Sequence, residues 1–207
     1  AIFSLSNNNR KTVNTNQIAE HLEMKPASIT DMVKKLCVKE LVIYEKYKGT
    51  SLSTLGSEIA LSIIRKHRLW ETFLVEKLNF KWDEVHELAE QLEHIKSQEL
   101  VKRLDNFLGN PKFDPHGDPI PDENGIIDFK KSALLTSLSN EESGIVMGVS
   151  DSTDLFLKYL NKLGISLGTK IKVVEKIPFD NSLEIVINDL ETSIIISAEV
   201  ANNIYLK

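Results

Sequence analysis

Apolar positions in the first third of the chain recur at helical spacing in two short runs. Ile18, Ala19 and Leu22 form the inner side of the first, and Asn14 or Thr15 is placed to cap it. A brief turn at Glu23-Met24-Lys25 leads to Pro26, which suits the first position of a second helix burying Ile29, Val33 and Leu36. Ala19 is small where the second helix must pack close. Two short helices joined by a tight turn predict a helix-turn-helix. The runs Leu41–Glu45 and Thr50–Ser53 flank Lys46-Tyr47-Lys48-Gly49, a hairpin pattern with a basic tip and Gly at the turn. Directly after the helix pair, such a hairpin reads as a wing. Upstream, Ala1-Ile2-Phe3-Ser4-Leu5 has the spacing of a helix end before a turn at Ser6-Asn7-Asn8-Asn9, so a preceding half-helix is expected outside this sequence.

Ser53 or Thr54 caps a long helical pattern running to about Leu78, with Ile59, Ile63, Trp70 and Leu74 on its apolar stripe. A turn at Phe80-Lys81-Trp82-Asp83 precedes a second pattern with Val85, Leu88, Ala89, Leu92 and Ile95 on one side, expected to end near Ser97. Beyond it Leu100, Val101, Leu104 and Leu108 fall on the sector that holds His86, Glu90, Glu93 and His94. A break with Ser97 as a new N-cap therefore buries both sets economically. Asn110 to Gly125 is rich in Pro, Gly and Asp and reads as a linker. Thereafter GIVMGVSD, TKIKVVEKI, LEIVIN and TSIIIS are strand-like, with a helix at Asp154–Leu163, and predict a small β-barrel. The expected divisions are 1–66, 67–120 and 121–207.

The candidate chemistry lies between His67 and His94. His67 and Glu71 are four apart, and His86, Glu90, Glu93 and His94 fall at i, i+4, i+7 and i+8, within one arc of roughly 100° on a helix. Imidazoles and carboxylates beside apolar faces must be paired, neutral or metal-bound, because an unpaired buried charge is too costly. A single His/Glu pair is usually a solvated face. Three such pairs on two successive helices also admit a metal site, and spacing alone leaves both open. A donor set of oxygen and nitrogen suits Mn²⁺, Fe²⁺ or Co²⁺ and gives Zn²⁺ no thiolate, although Zn²⁺ would still bind in vitro.

Composition narrows the class. The 207 residues are 42% hydrophobic, enough for two or three small domains, and the one cysteine, Cys37, fits a reducing compartment and excludes a multi-thiolate site. No apolar run approaches the roughly eighteen residues that cross a bilayer, so a cytoplasmic protein without a membrane partner is expected. Residues 1–66 hold ten Lys/Arg against six Asp/Glu, whereas 67–120 hold seven against eleven and 121–207 eight against thirteen. A basic first third on an acidic chain hints at a polyanion-binding module.

Taken together, ITDMVKKL with IYEKYKG, the His67/Glu71/His86/Glu90/Glu93/His94 series, PHGDPIP and the C-terminal strands resemble the diphtheria-toxin-repressor-like metal-dependent transcriptional regulators. The C-terminal segment is similar to the SH3-like ferrous-transport-protein-A domain. The resemblance covers essentially the whole chain. It implies a mainly α N-terminal two-thirds, winged helix-turn-helix plus helical dimerisation domain, with a small SH3-like barrel behind it. It implies a homodimer that binds Mn²⁺ or Fe²⁺, two ions per subunit, and then grips a palindromic operator in double-stranded DNA. Glu90, Glu93 and His94 match the primary metal site, completed by ligands upstream of Ala1. His67, Glu71 and His86 match the ancillary one. Some members add a Glu and a Gln from the barrel, where this chain offers Asp151 or Asp154 and has Leu155. DNA contacts fall to Pro26, Ser28, Thr30 and Lys34 on the recognition helix and to Lys46, Tyr47 and Lys48 on the wing. Two other classes are weighed. A di-metal carboxylate enzyme needs Glu-x-x-His on two helices, but Gln91 stands three before His94. A winged-helix regulator sensing a small organic ligand would leave the His/Glu cluster structural.

Overall fold

A capping box opens the helix-turn-helix. Asn14 Oδ1 accepts from the Gln17 amide at 2.9 Å, and the Asn14 amide donates to Gln17 Oε1 at 3.0 Å. In the computed structural model, which describes residues 1–6, 9–127 and 133–207, α1 (Ile2–Leu5) and α2 (Thr15–His21) precede α3 (Pro26–Val38), with Pro26 in its first turn. The Asn7-Asn8 part of the expected turn lies outside the described residues. The antiparallel pair β1 (Val42–Glu45) and β2 (Gly49–Leu52) forms the wing, and Val13 joins its edge through two 2.8 Å backbone bonds with Thr50. Val13, Ile18, Ala19, Ile29, Val33 and Val42 make the core beneath. The hairpin tip departs from expectation in one detail. Tyr47, with φ 67°, as well as Gly49, with φ 110°, takes a positive φ.

The chain divides into two compact units, Ala1–Ile64 and Arg65–Lys207. The long helix α4 (Thr54–Leu78) starts in the first, its amino end capped by Ser53, whose hydroxyl accepts from the Gly56 amide at 2.9 Å. In the second unit α5 (His86–Leu92) is shorter than the sequence predicts and ends five residues before Ser97. Ser97 is the cap of α6 (Gln98–Phe107), accepting from the Leu100 amide at 3.2 Å. Leu69, Trp70, Ala89, Val101, Leu104 and Ile120 pack between these helices. No helix among the described residues is long and apolar enough to cross a membrane.

The C-terminal domain holds β3 (Ala133–Leu134), β4 (Ser143–Val149), α7 (Asp154–Leu163), β5 (Lys170–Lys176), β6 (Leu183–Ile187), β7 (Ser193–Ile196), α8 (Ala198–Ala201) and β8 (Ile204–Leu206). The strands pair antiparallel in the order β3-β8-β4-β5-β6-β7. Among the described residues this SH3-like sheet is open, not the closed barrel that four strand-like runs suggested, because β3 and β7 are unpaired outer strands. Leu157 and Leu160 of α7 seal its core with Ile171, Val173, Ile185 and Ile204.

The segment read as a linker is built into the fold. Asp114 Oδ1 accepts from the His116 and Asp118 amides at 2.8 and 3.0 Å, and the Ile120 amide donates to the Lys112 carbonyl at 2.9 Å. Arg68 of α4 holds it from one side, pairing with Asp118 at 3.1 Å and Asp114 at 3.4 Å and donating to the Pro119 carbonyl. On the other side Gly117, at φ 87°, meets β4 so closely that a Cβ there would sit 2.2 Å from both Gly148 Cα and the Met147 carbonyl oxygen. Gly117→Ala combines a disfavoured φ with a backbone clash, and a loss of about 2–4 kcal/mol is expected. Urea unfolding of the two proteins measures it; a difference under about 0.5 kcal/mol would mean this contact is soft.

Candidate metal centre

Successive turns of α4 bring His67 and Glu71 to the same face, and His86, at the start of α5, reaches both of them. Glu71 is buried at 2% exposure, although it is a carboxylate, so its partners decide its state. His67 Nε2 lies 3.0 Å from Glu71 Oε1 and 3.2 Å from His86 Nδ1, and His86 Nδ1 is 3.3 Å from the same Glu71 oxygen. Three donor atoms thus form a triangle with sides of 3.0–3.3 Å. Donors about 2.1 Å from a common ion are about 3.0 Å apart at octahedral angles and about 3.4 Å apart at tetrahedral ones. The residues present therefore fit a divalent cation on one triangular face of its coordination sphere.

Glu93 joins from behind. Its Oε2 lies 2.8 Å from His67 Nδ1, so the ring facing the triangle is oriented by a carboxylate on its other nitrogen. This is the usual way a ligating imidazole is fixed in tautomer and direction. Because α5 stops at Leu92, Glu93 lies in the following turn, where its carbonyl accepts from Lys66. Glu90 and His94 are exposed, and neither side chain makes a hydrogen bond or ion pair among the described residues. Of the six residues singled out, four are brought together and two stand apart. Asp151 and Asp154 are engaged locally, Asp151 with the Thr153 amide at 2.9 Å and Asp154 with Lys158 at 3.3 Å.

Two residues of the site escaped the sequence analysis. His116 is 3% exposed, with Nε2 2.8 Å from the Trp82 carbonyl oxygen and Nδ1 3.5 Å from Glu71 Oε2. Asp114, 4% exposed, lies 4.0 Å from His116 Nδ1. Glu71, Asp114 and His116 are close enough to constitute a second cation cluster, but Asp114 Oδ1 already accepts two amides and its other oxygen faces Arg68. A histidine between Pro115 and Gly117, with Asp114 and Asp118 around it, was the available signal.

Electrostatics follow from this crowding. Burial would raise the Glu71 pKa, but hydrogen bonds from His116, His67 and His86 hold it well below the usual carboxylate range. Burial opposes charge on His67, yet Glu71 and Glu93 raise its pKa overall. His116 behaves alike: against burial, Glu71, Asp114 and the Trp82 carbonyl push it up to about 9. Asp114 goes the other way from a typical paired acid. Burial first, then the charges of Asp118 and Glu71, push it up to about 7 despite Arg68 and His116.

In the first unit, Pro26, Ser28, Thr30 and Lys34 are exposed along α3, and Lys46, Tyr47 and Lys48 are exposed at the wing tip. Thr30 donates to the Pro26 carbonyl at 2.9 Å, Lys34 pairs with Asp31 at 3.2 Å, and Lys48 pairs with Glu45 at 2.7 Å. The Lys46 ammonium lies 5.0 Å from the Tyr47 ring centroid. The exposed pairs are weak and free to exchange partners.

The chain joins a winged helix-turn-helix to a His/Glu triad gathered around one buried carboxylate, Glu71. Three family models match in sequence along the chain: the iron-dependent repressor N-terminal DNA-binding domain over 1–50, the iron-dependent repressor metal-binding and dimerisation domain over 53–122, and the FeoA domain over 133–207. The chain belongs to the iron-dependent repressor family, whose members include the diphtheria toxin repressor. It is 31% identical to the diphtheria toxin repressor of Corynebacterium diphtheriae over 171 residues, covering 77% of this chain and 75% of that one. It is 34% identical to the iron-dependent repressor IdeR of Mycobacterium leprae over 113 residues, 55% of this chain. The chain spans about half the length of curated relatives such as this one, 48% here. A solved manganese-dependent transcriptional repressor in complex with manganese superposes with a TM-score of 0.82 at 32% identity, covering 95% of this chain and 91% of that one.

Proposed function

We propose that this protein is a DNA-binding transcriptional repressor that requires Mn²⁺ or Fe²⁺ and acts as a homodimer on a palindromic operator. The observation that carries this reading is the triangle of His67 Nε2, Glu71 Oε1 and His86 Nδ1, with His67 backed by Glu93. His67, Glu71 and His86 would hold one ion, and Glu90, Glu93 and His94, with residues upstream of Ala1, a second. A bound divalent cation supplies positive charge to a carboxylate-rich site and ties helices together. In its absence His67 lies between the carboxylates of Glu71 and Glu93, which favour its protonated form.

Two copies of α3 would enter successive major grooves through Pro26, Ser28, Thr30 and Lys34, while Lys46, Tyr47 and Lys48 of each wing meet phosphates. Leu100 and Phe107 of α6 are exposed apolar side chains, at 39% and 64%, on the domain family-matched to dimerisation, and fit a two-fold contact. Hard oxygen at Glu90 favours Mn²⁺ over thiophilic ions, and Zn²⁺ or Co²⁺ should substitute in vitro. The test is operator binding by the chelated protein, titrated anaerobically with Mn²⁺, Fe²⁺ and Zn²⁺. Affinity should rise by at least about tenfold with metal, in keeping with the usual range of allosteric coupling. Equal affinity with and without every ion would favour the organic-ligand sensor instead.

A further inference from the structure

The hairpin of the wing does not stand alone, because residues 9–13 run along the outer edge of β2 and are fastened to it. Asn9 binds Leu52 twice, its Nδ2 donating to the carbonyl and its Oδ1 accepting from the amide, both at 3.0 Å. Thr12 Oγ1 donates to the Lys48 carbonyl at 2.7 Å, and Val13 exchanges two 2.8 Å backbone bonds with Thr50. From the other side the Ser6 carbonyl accepts from the Arg10 and Lys11 amides, each at 3.0 Å. Two local choices permit this approach. Asn9 takes φ 61°, a left-handed value that asparagine tolerates better than most side-chain-bearing residues. Gly49 leaves the space, since a Cβ there would lie 2.7 Å from the Val13 carbonyl oxygen.

Arg10 and Lys11 sit in the middle of this fastened stretch. Both side chains are exposed, and neither makes a hydrogen bond or ion pair among the described residues. The backbone is held while the cations are left free. In residues 9–13 and 42–52 the one acid is Glu45, and Lys48 pairs with it at 2.7 Å. Arg10, Lys11 and Lys46 are thus left on one edge without an acidic partner. Like charges gathered on a rigid edge repel one another until a polyanion neutralises them.

We infer that residues 9–13 are a third, irregular strand of the wing whose Arg10 and Lys11 bind backbone phosphates of DNA. Each subunit then neutralises more phosphates than α3 and the hairpin tip reach alone. The occupant is the sugar-phosphate backbone, because free cations without a paired acceptor respond to charge and not to base sequence. The inference rests on the DNA-binding role of this unit and adds residues that belong neither to the helix pair nor to the hairpin.

The experiment uses the full chain with Mn²⁺ present. Binding is measured over a range of salt to a random-sequence duplex and to the operator duplex that wild type selects from a random pool. Arg10→Gln and Lys11→Gln should each weaken both duplexes alike, and each should flatten the plot of log affinity against log salt by about one per subunit bound. Arg10→Lys keeps the charge and should keep the slope. Lys162→Gln removes the same charge from an exposed position on α7, and its slope should match wild type. Thermal midpoint and Mn²⁺ affinity should stay at wild-type values in every variant, since these side chains have no partner in the fold. Wild-type slopes in both Arg10→Gln and Lys11→Gln, a loss confined to the operator duplex, or an equal loss in Lys162→Gln overturns the inference. A wild-type protein that binds neither duplex with Mn²⁺ would instead overturn the DNA-binding reading beneath it.

Discussion

Glu71→Gln is expected to lower Mn²⁺ affinity by at least about a hundredfold and to remove metal-dependent operator binding. Outer partners of a ligand are commonly worth up to about a hundredfold, and loss of the ligand's charge should cost no less. Glu71 is the buried carboxylate on which three imidazoles converge, His67 at 3.0 Å, His86 at 3.3 Å and His116 at 3.5 Å. The amide keeps the shape and removes the charge, so a folded protein with a failed site is the expected product. In the metal-free state the same change strands the His67 and His116 imidazoles, and removing one partner of a buried pair typically costs about 3–5 kcal/mol. Calorimetric titration with Mn²⁺, beside a mobility shift with operator DNA, measures both. If Glu71→Gln binds Mn²⁺ as tightly as wild type, the triad is structural and the ion sits elsewhere.

Metal-free stability and metal affinity should run in opposite directions with pH. His116, raised from 6.5 to about 9, contributes stability that is fully present below about pH 6.5 and is lost as pH rises through about 9. At about 1.4 kcal/mol per unit that is on the order of 3 kcal/mol. His67 is raised as well and acts in the same direction. Asp114 adds to the trend below about pH 7, because an acid raised from 3.8 to about 7 costs stability as pH rises between those two values. Glu71, whose pKa is lowered, gives stability above about pH 4.5 that disappears only in strong acid. Thermal unfolding in chelator should therefore show a falling midpoint between pH 6 and 9. Mn²⁺ must displace the His67 proton, so its affinity should climb by up to about tenfold per pH unit over the range where that proton is bound. A metal-free midpoint that rises from pH 6 to 9 would contradict the charge assignment of both histidines.

The parts of the fold that local chemistry dictates were legible in the sequence. Asn14, Pro26 and Ser97 each start a helix by satisfying or omitting the orphan amides of a first turn, and such signals need no tertiary context. The His67/Glu71 pair was legible because helical spacing alone puts both on one face. The contact of Glu93 with His67 Nδ1 joins two helices, so spacing along α5 alone does not show it. His116 and Asp114 were hidden by composition, since a run of Pro, Gly and Asp has the character of an exposed connection whether or not it is covered. What buries them is long-range, namely Arg68 on one side and Gly148 on the other, and no local pattern encodes that.

The open sheet has a colloidal consequence. Among the described residues strand β7 is an outer strand, four residues long, in which Ile195 is 63% exposed and no residue from Ser193 to Ile196 carries charge. Its outward amides and carbonyls make a template on which a strand of another molecule can add, and only its shortness restrains this. Crowded or partly unfolded chains can therefore associate along that isoleucine edge, which ties the concentration the protein tolerates to its ferrous-transport-like end.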